Sequence, residues 1–236
     1  MDAFEHTIDL NADLGEGFPN DQALLARVTS ASITCGAHAG DRETILEALR
    51  GAKARGVQVG AHPGFPDREG FGRRERAMSA EGVERLILAQ FDVLAALADK
   101  VGLTLRYVKP HGALYNQAQR QVVIAEGVIG AVARLGLPIL GQPGSALEGR
   151  ARAADVRFVA EGFPDRRYRP DGRLVARSEP DAVLSDRAEV EAQVVRLVEQ
   201  GVIRTLCIHG DDPRAVAHAD TVRAALGRHG IGTRRF

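Results

Sequence analysis

Lys109-Pro110-His111-Gly112-Ala113-Leu114-Tyr115-Asn116 puts a cation, an imidazole, a phenol and an amide within eight consecutive positions. The stretch follows an apolar run, Leu103 to Val108, that reads as a buried strand. Pro110 has no N–H to give to a ladder, so the strand ends there. Lysine is itself unusual in this chain. Only Lys53, Lys100 and Lys109 are lysine, and every other basic residue is arginine. Lys53 and Lys100 fall on exposed helix positions, whereas Lys109 closes an apolar strand, where a cation needs partners of opposite charge.

Those partners come from the other strand ends. Upstream, Thr7-Ile8-Asp9-Leu10 reads as a strand that runs into Asn11-Ala12-Asp13-Leu14-Gly15-Glu16-Gly17. Asn11 and Asp13 are two apart and so share one face of an extended chain. A helix is expected from Asp21 to about Val28. Ala31 to Cys35 is the second strand, ending in Gly36-Ala37-His38-Ala39-Gly40-Asp41, with Asp41 as the N-cap of a helix that Gly56 stops. Val57 to Ala61 is the third, ending in His62-Pro63-Gly64. The following loop, Phe65 to Arg74, is rich in Gly and Arg and has no period, as in functional lids or disordered segments. Ser79 caps a helix with an apolar stripe from Val83 to Val101.

Downstream, a helix is expected over Val122 to Leu135 and a short fifth strand over Leu137 to Gly141. Ser145 and Glu148 form a capping box for the next helix. Val156 to Ala160 is the sixth strand, ending in Glu161-Gly162-Phe163-Pro164-Asp165-Arg166. A second long loop contains the turn Pro170-Asp171-Gly172. Asp186 and Glu189 form another capping box. Ile203 to Ile208 is the seventh strand, ending in His209-Gly210-Asp211, after which Asp212 and Pro213 open the last helix.

Strand, polar loop and helix thus alternate seven times with no linker between them. This predicts one α/β domain over residues 1–236 with a parallel sheet. An open doubly wound sheet gathers its site at one switch point, while a closed barrel arranges all its strand ends in a ring. Polar groups at nearly every strand end favour a seven-stranded (β/α) barrel of TIM-like construction.

The composition is that of an ordinary globular protein, 44% apolar and 26% charged. The formal net charge is zero, which gives no electrostatic basis for binding nucleic acid or an anionic membrane. There is no twenty-residue apolar run, and the start, Met1 to His6, is polar rather than a signal peptide. The two cysteines, Cys35 and Cys207, make no disulfide framework and read as small buried residues. A cytoplasmic location is expected.

Four of the seven histidines stand at strand ends within two residues of Gly or Pro, a pattern that core filling does not explain. His38, His62, His111 and His209 could ligate a divalent metal, although no pair has structural-zinc spacing and Lys109 would compete for the space. The metal-free alternative uses Asp13 or Glu16 to activate water, Lys109 to stabilise an oxyanion and a histidine to protonate a leaving nitrogen. Arg68, Arg73, Arg74 and Arg166 on the long loops are either solvated or a clamp for a carboxylate or phosphate. No local nucleotide-binding signature is present.

Taken together, the stretches Asp9 to Gly17, Cys35 to Asp41, Gly60 to Pro63, Gly70 to Arg74, Val108 to Asn116, Asp165-Arg166 with Tyr168, and His209 to Asp211 resemble the LamB/YcsF family, the A components of prokaryotic 5-oxoprolinase. The match runs in the family's order over nearly the whole chain and departs at Ser32, Pro164 and Asp212. The resemblance implies a barrel related to sugar deacetylases. It also implies ATP-dependent opening (with Mg²⁺) of the lactam 5-oxo-L-proline to L-glutamate, alongside partner subunits B and C. Asp13, Glu16, Lys109 and His111 are then the expected catalytic residues. Asn11, His38, His62, Arg73, Arg74, Tyr115, Glu161, Asp165, Arg166, His209 and Asp211 are expected to bind substrate. Two rivals stay open: a metal-dependent hydrolase of an acylated sugar, and a non-catalytic component that only binds substrate. Assembly with further copies of the chain is left open as well.

Overall fold

The computed structural model describes residues 6–177 and 179–236. Most of the polar start read from the sequence therefore lies outside the described residues. The elements run β1 (His6–Leu14), α1 (Asp21–Leu25), β2 (Ser30–Thr34), α2 (Arg42–Arg55), β3 (Gln58–His62), α3 (Ala80–Lys100), α4 (Gly112–Arg120) and α5 (Val122–Leu135). They continue with β4 (Ile139–Gly141), α6 (Ala146–Ala153), β5 (Phe158–Gly162), α7 (Arg187–Glu199), β6 (Thr205–His209), α8 (Ala215–Arg228) and β7 (Ile231–Thr233).

The sheet order is β3-β2-β1-β6-β5-β4, all parallel. Val108 closes the ring by bridging Ala61 of β3 on one side and Ile139 of β4 on the other. With this stave the parallel barrel has the seven members expected, in chain order around the ring. The expected strand over Leu103 to Val108 shrinks to its last part. Lys109 still donates its N–H to the Ala61 carbonyl at 2.9 Å, but the next residue is Pro110, and on the other edge Pro138 offers only its carbonyl, which Val108 N–H takes at 3.0 Å. The additional strand β7 pairs with β1 over His6–Ile8, below the point where β6 joins.

β1 shows why the barrel carries a site. Ile8, Leu10, Ala12 and Leu14 join the apolar layer under the helices, while Asp9, Asn11 and Asp13 alternate into the interior. The lower interior is also polar. Asp9 accepts hydrogen bonds from Thr29, Ser30 and Thr205 at 2.6 to 2.7 Å. Tyr107 fills the middle, and it fits only because Gly60 faces it: a Cβ there would lie 2.3 Å from the ring. Phe236 packs on Tyr107 from below, with Leu140 and Val159 beside it.

Several boundaries differ from the sequence reading. β5 and β6 start and end later than expected, so Glu161 and His209 belong to strands and point with the interior register. Helix α4, directly after Lys109-Pro110-His111, has no counterpart among the expected elements. Helix α1 ends at Leu25, and α8 begins at Ala215 because the Asp212 carboxylate accepts the Arg214 N–H in a turn. Asp41 and Ser79 cap α2 and α3 as expected. The capping boxes at Ser145 and Asp186 are half made: each cap side chain accepts its N–H, but Glu148 turns to Gly144 and Glu189 to Arg167.

Candidate active site

The upper interior holds two charge clusters that share one wall. In the first, Lys109 Nζ lies 2.8 Å from Asp13 Oδ1 and 2.9 Å from Glu161 Oε1. It also reaches Cys207 Sγ at 2.8 Å and Asn11 Oδ1 at 3.3 Å. An ammonium has three N–H bonds, so these partners occupy all of them. Burial alone would lower the Lys109 pKa, but Asp13, Cys207 and Glu161 raise it well above the usual lysine value. Burial pushes Asp13 up, yet His62, Lys109 and His209 outweigh this and hold it well below the carboxylate range. Glu161 stays raised because burial outweighs Lys109.

In the second cluster, Glu16 meets three imidazoles. His38 Nε2 is 3.1 Å from Glu16 Oε1, and His111 Nδ1 is 3.4 Å from it. His62 Nε2 is 3.0 Å from His111 Nδ1 and 3.5 Å from Asp13 Oδ2. Burial, then the nearby Asp13 and Asp211 charges, pushes Glu16 well above the usual carboxylate value. Burial brings His62 down to about 4 and His111 well below an ordinary histidine. Ligand atoms of Glu16, His38, His62 and His111 lie within 4.8 Å of one another, as do those of Asp13, Cys207 and His209.

A cavity of about 440 Å³ adjoins both clusters, lined by Asp13, His62, Lys109, His111, Tyr115 and Phe163. Arg73, Arg166, Arg177 and His209 line it as well. His209 Nδ1 donates to Asp165 Oδ2 at 2.8 Å, which fixes the tautomer and leaves Nε2 as the free lone pair. Arg73 and Arg177 both pair with Asp211, and Arg166 donates to the carbonyls of Ala182 and Val175. Three guanidinium groups thus meet two carboxylates, Asp211 and Asp165, which leaves a surplus positive charge. The Tyr115 hydroxyl and Glu161 Oε2 are buried without a hydrogen-bond partner, a cost that a bound polar ligand would remove.

Hydrogen bonds tie down the described residues of the two long loops. The first is built around Asp67, which accepts from Gly70 and pairs with Arg74. It presents the Phe71 carbonyl to His111 Nε2 at 2.8 Å, with Phe71 itself at φ 53°, uncommon for a residue with a side chain. Gly72 follows at φ 64°, where a Cβ would lie 2.9 Å from the His38 Cβ.

Of the expected site residues, Asp13, His62, Arg73, Lys109, His111, Tyr115, Arg166 and His209 line the cavity. Others stand behind it. Asn11 bonds to Glu161 and Thr205 beneath Lys109, His38 stacks on the far face of His111 at 3.7 Å, and Asp165 backs His209. Glu16, Glu161 and Asp211 likewise act through their partners. Arg74 is a correction: its side chain is 64% exposed and pairs with Asp67 and Glu69, outside the cavity. His209 is a second correction as a co-ligand, since its nitrogens group with Asp13, Cys207 and Asp165 rather than with the other three histidines. Arg177, on the second loop, and Cys207, read as a core residue, were missed. Arg177 carried no distinguishing signal, whereas the inward register of Cys207, two residues before His209, could have placed it.

The LamB/YcsF family model matches residues 8–236. This chain belongs to the LamB/YcsF family. Relatives named as the A component of 5-oxoprolinase are 44% identical in Methylococcus capsulatus (95% of this chain, 94% of the relative) and 45% identical in Paracidovorax citrulli (97% and 99%). The crystal structure of the lactam utilization protein from Thermus thermophilus superposes with a TM-score of 0.88 at 42% identity, covering 98% of this chain and all of that one. A family 4 carbohydrate esterase from Streptomyces lividans shares the fold at a TM-score of 0.53 and 11% identity, covering 98% of this chain and 92% of its own. No described helix of this family member is long and apolar enough to cross a membrane.

Proposed function

We propose that this chain is the A component of an ATP-dependent 5-oxoprolinase. It hydrolyses the lactam of 5-oxo-L-proline to L-glutamate, working with subunits B and C in the cytoplasm. The observation that supports this most is the pair of chemistries around one cavity. Arg73, Arg166 and Arg177 line it and suit a single substrate carboxylate, and Asp13, His62 and His111 line it too and suit deprotonating water.

The substrate carboxylate binds Arg166 and Arg177, with Arg73 at the rim. The lactam carbon then faces Asp13, His62 and His111. A stable amide resists water, and phosphoryl transfer from ATP (with Mg²⁺) to the lactam oxygen in the assembled enzyme makes that carbon electrophilic. Water attacks and gives its proton to the Asp13–Glu16–histidine cluster. Asp13 is kept anionic, so Glu16, whose proton affinity is raised, is the better resting place for that proton. His209, held by Asp165 with Nε2 bare, takes up the second proton of the added water as the carbonyl re-forms and passes it to the departing nitrogen; a second water then releases phosphate from the acyl phosphate to leave L-glutamate. Lys109 has its donors occupied, so it acts by holding Asp13 and Glu161 in place rather than by contacting the oxyanion.

Titration calorimetry of the chain with 5-oxo-L-proline, alone and with subunits B and C, ATP and Mg²⁺, tests this reading. Binding that is lost in Arg166→Met places the substrate here. Binding that survives in the assembled complex despite that change assigns the substrate to one of the partners and refutes it.

A further inference from the structure

His62 and His111 each have one nitrogen whose role is fixed. His62 Nδ1 is 2.7 Å from the Lys109 carbonyl oxygen, and His111 Nε2 is 2.8 Å from the Phe71 carbonyl oxygen. A carbonyl only accepts, so both nitrogens carry hydrogen. In neutral rings the other nitrogens, His62 Nε2 and His111 Nδ1, are then bare lone pairs, and they face each other at 3.0 Å. Their remaining neighbours are carboxylate oxygens: Asp13 Oδ2 at 3.5 Å from His62, and Glu16 Oε1 at 3.4 Å from His111 and 3.9 Å from His62. With Glu16 ionised, acceptors converge on one buried point, an arrangement that is repulsive unless a cation or a proton sits there.

We infer that Glu16 Oε1, His62 Nε2 and His111 Nδ1 form a binding site for a divalent transition ion of the zinc class, with an open position facing the cavity. Zinc bonds of 2.0 to 2.2 Å in a tetrahedron separate their donors by about 3.3 Å; the three separations here, 3.0, 3.4 and 3.9 Å, bracket it. The rings of His62 and His111 meet at 89°, so their lone pairs can converge on one ion. His38 is close enough to be a fourth ligand, but its ring lies parallel to His111 at 3.7 Å and 3°. Lone pairs lie in the ring plane, so two stacked rings cannot both aim at one ion. His38 Nε2–H instead donates to Glu16 and orients it, as the two backbone carbonyls orient the ligand imidazoles. Three protein donors and one open position is the pattern of a catalytic rather than a structural zinc site. A shared proton is the competing way to relieve the repulsion, and metal titration separates the two.

The test is metal loading of the full chain. The protein is stripped with a chelator, dialysed and titrated with Co²⁺, following visible d–d absorption and bound metal by mass spectrometry. One ion per chain with the intense band of low-coordinate cobalt is expected. His62→Gln and His111→Gln should abolish the band, and His38→Gln should weaken binding by about 10–100-fold, each with an unchanged circular dichroism spectrum. Should those variants not fold, X-ray absorption of the wild-type cobalt protein counts the ligands: two imidazoles support the site. No stoichiometric binding, binding indifferent to these substitutions, or a spectrum without imidazole would overturn it and leave a shared proton at the cluster. None of these readouts depends on turnover, so the outcome is separate from the lactam assignment.

Discussion

Lys109 Nζ lies 2.8 Å from Asp13 Oδ1 inside the barrel, where both side chains are almost wholly shielded from water. Neither charge could be held there alone. Removing one member of such a pair leaves the other ionised in a poor solvent, at a cost of about 3–5 kcal/mol. Lys109→Met should therefore destabilise the chain by about that amount in denaturant melts. Adding Asp13→Asn should recover part of the loss, because the uncompensated carboxylate is gone. Additive losses in the double variant would show that the two residues do not depend on each other.

The Asp165–His209 pair predicts a loss of rate without a loss of binding. Asp165→Asn no longer fixes the His209 tautomer with a charged acceptor, and turnover of the reconstituted enzyme should fall about 10²–10⁴-fold, the range for a general acid or base. KM should change little, since Asp165 lies behind His209 and does not line the cavity. A rise in KM with kcat intact would make the pair a binding element instead.

The arginines divide by position. Arg166→Met and Arg177→Met should each raise KM for 5-oxo-L-proline by about 10–100-fold, the loss of a charge-assisted hydrogen bond worth about 1.5–3 kcal/mol. Arg74→Met should leave KM unchanged, because that guanidinium is outside the cavity. An effect at Arg74 with none at Arg166 and Arg177 would place the carboxylate on the first loop.

Asp21 offers a test of linkage away from the chemistry. Its carboxylate accepts the Gly15 N–H at 2.8 Å, yet burial, partly offset by that bond, raises its pKa from 3.8 to about 6. The folded chain thus holds a proton that the unfolded chain releases between these values. Stability contributed by Asp21 is present below pH 3.8 and falls as pH rises to about 6. Asp21→Asn keeps an acceptor and removes the charge, so it should stabilise at pH 7.5 by up to about 3 kcal/mol and hardly at all below pH 4. Thermal melts at the two pH values check it; a gain independent of pH would rule out ionisation as the cause.

Much of the site was legible because β-strands impose a period of two. Asn11 and Asp13 had to share a face, and Lys109 before Pro110 had to end a stave, whatever surrounded them. The fold class followed from the seven alternations and from polar groups at successive strand ends. Helix α4 was hidden because the residues that open it, His111 and Gly112, were read for their chemistry, and the helix makes no side-chain cap. Arg74 was misplaced because adjacent loop arginines look alike in sequence; the turn at Phe71 and Gly72 sends Arg73 to Asp211 and Arg74 to Asp67.

By itself the sequence determined which residues alternate inward, that a stave ends at Pro110, and that carboxylates, imidazoles and one lysine meet at one end of a barrel. Those properties are local, set by backbone period, missing N–H groups and the cost of leaving a cation in an apolar strand. Only the tertiary structure decided who pairs with whom. It gave all of the lysine's hydrogen bonds to partners on three other strands, and it turned two imidazoles toward each other by tying their far nitrogens to carbonyls 47 and 40 positions away in the chain. Pairing of this kind depends on separations of a few tenths of an ångström between distant segments, and only barrel closure fixes those.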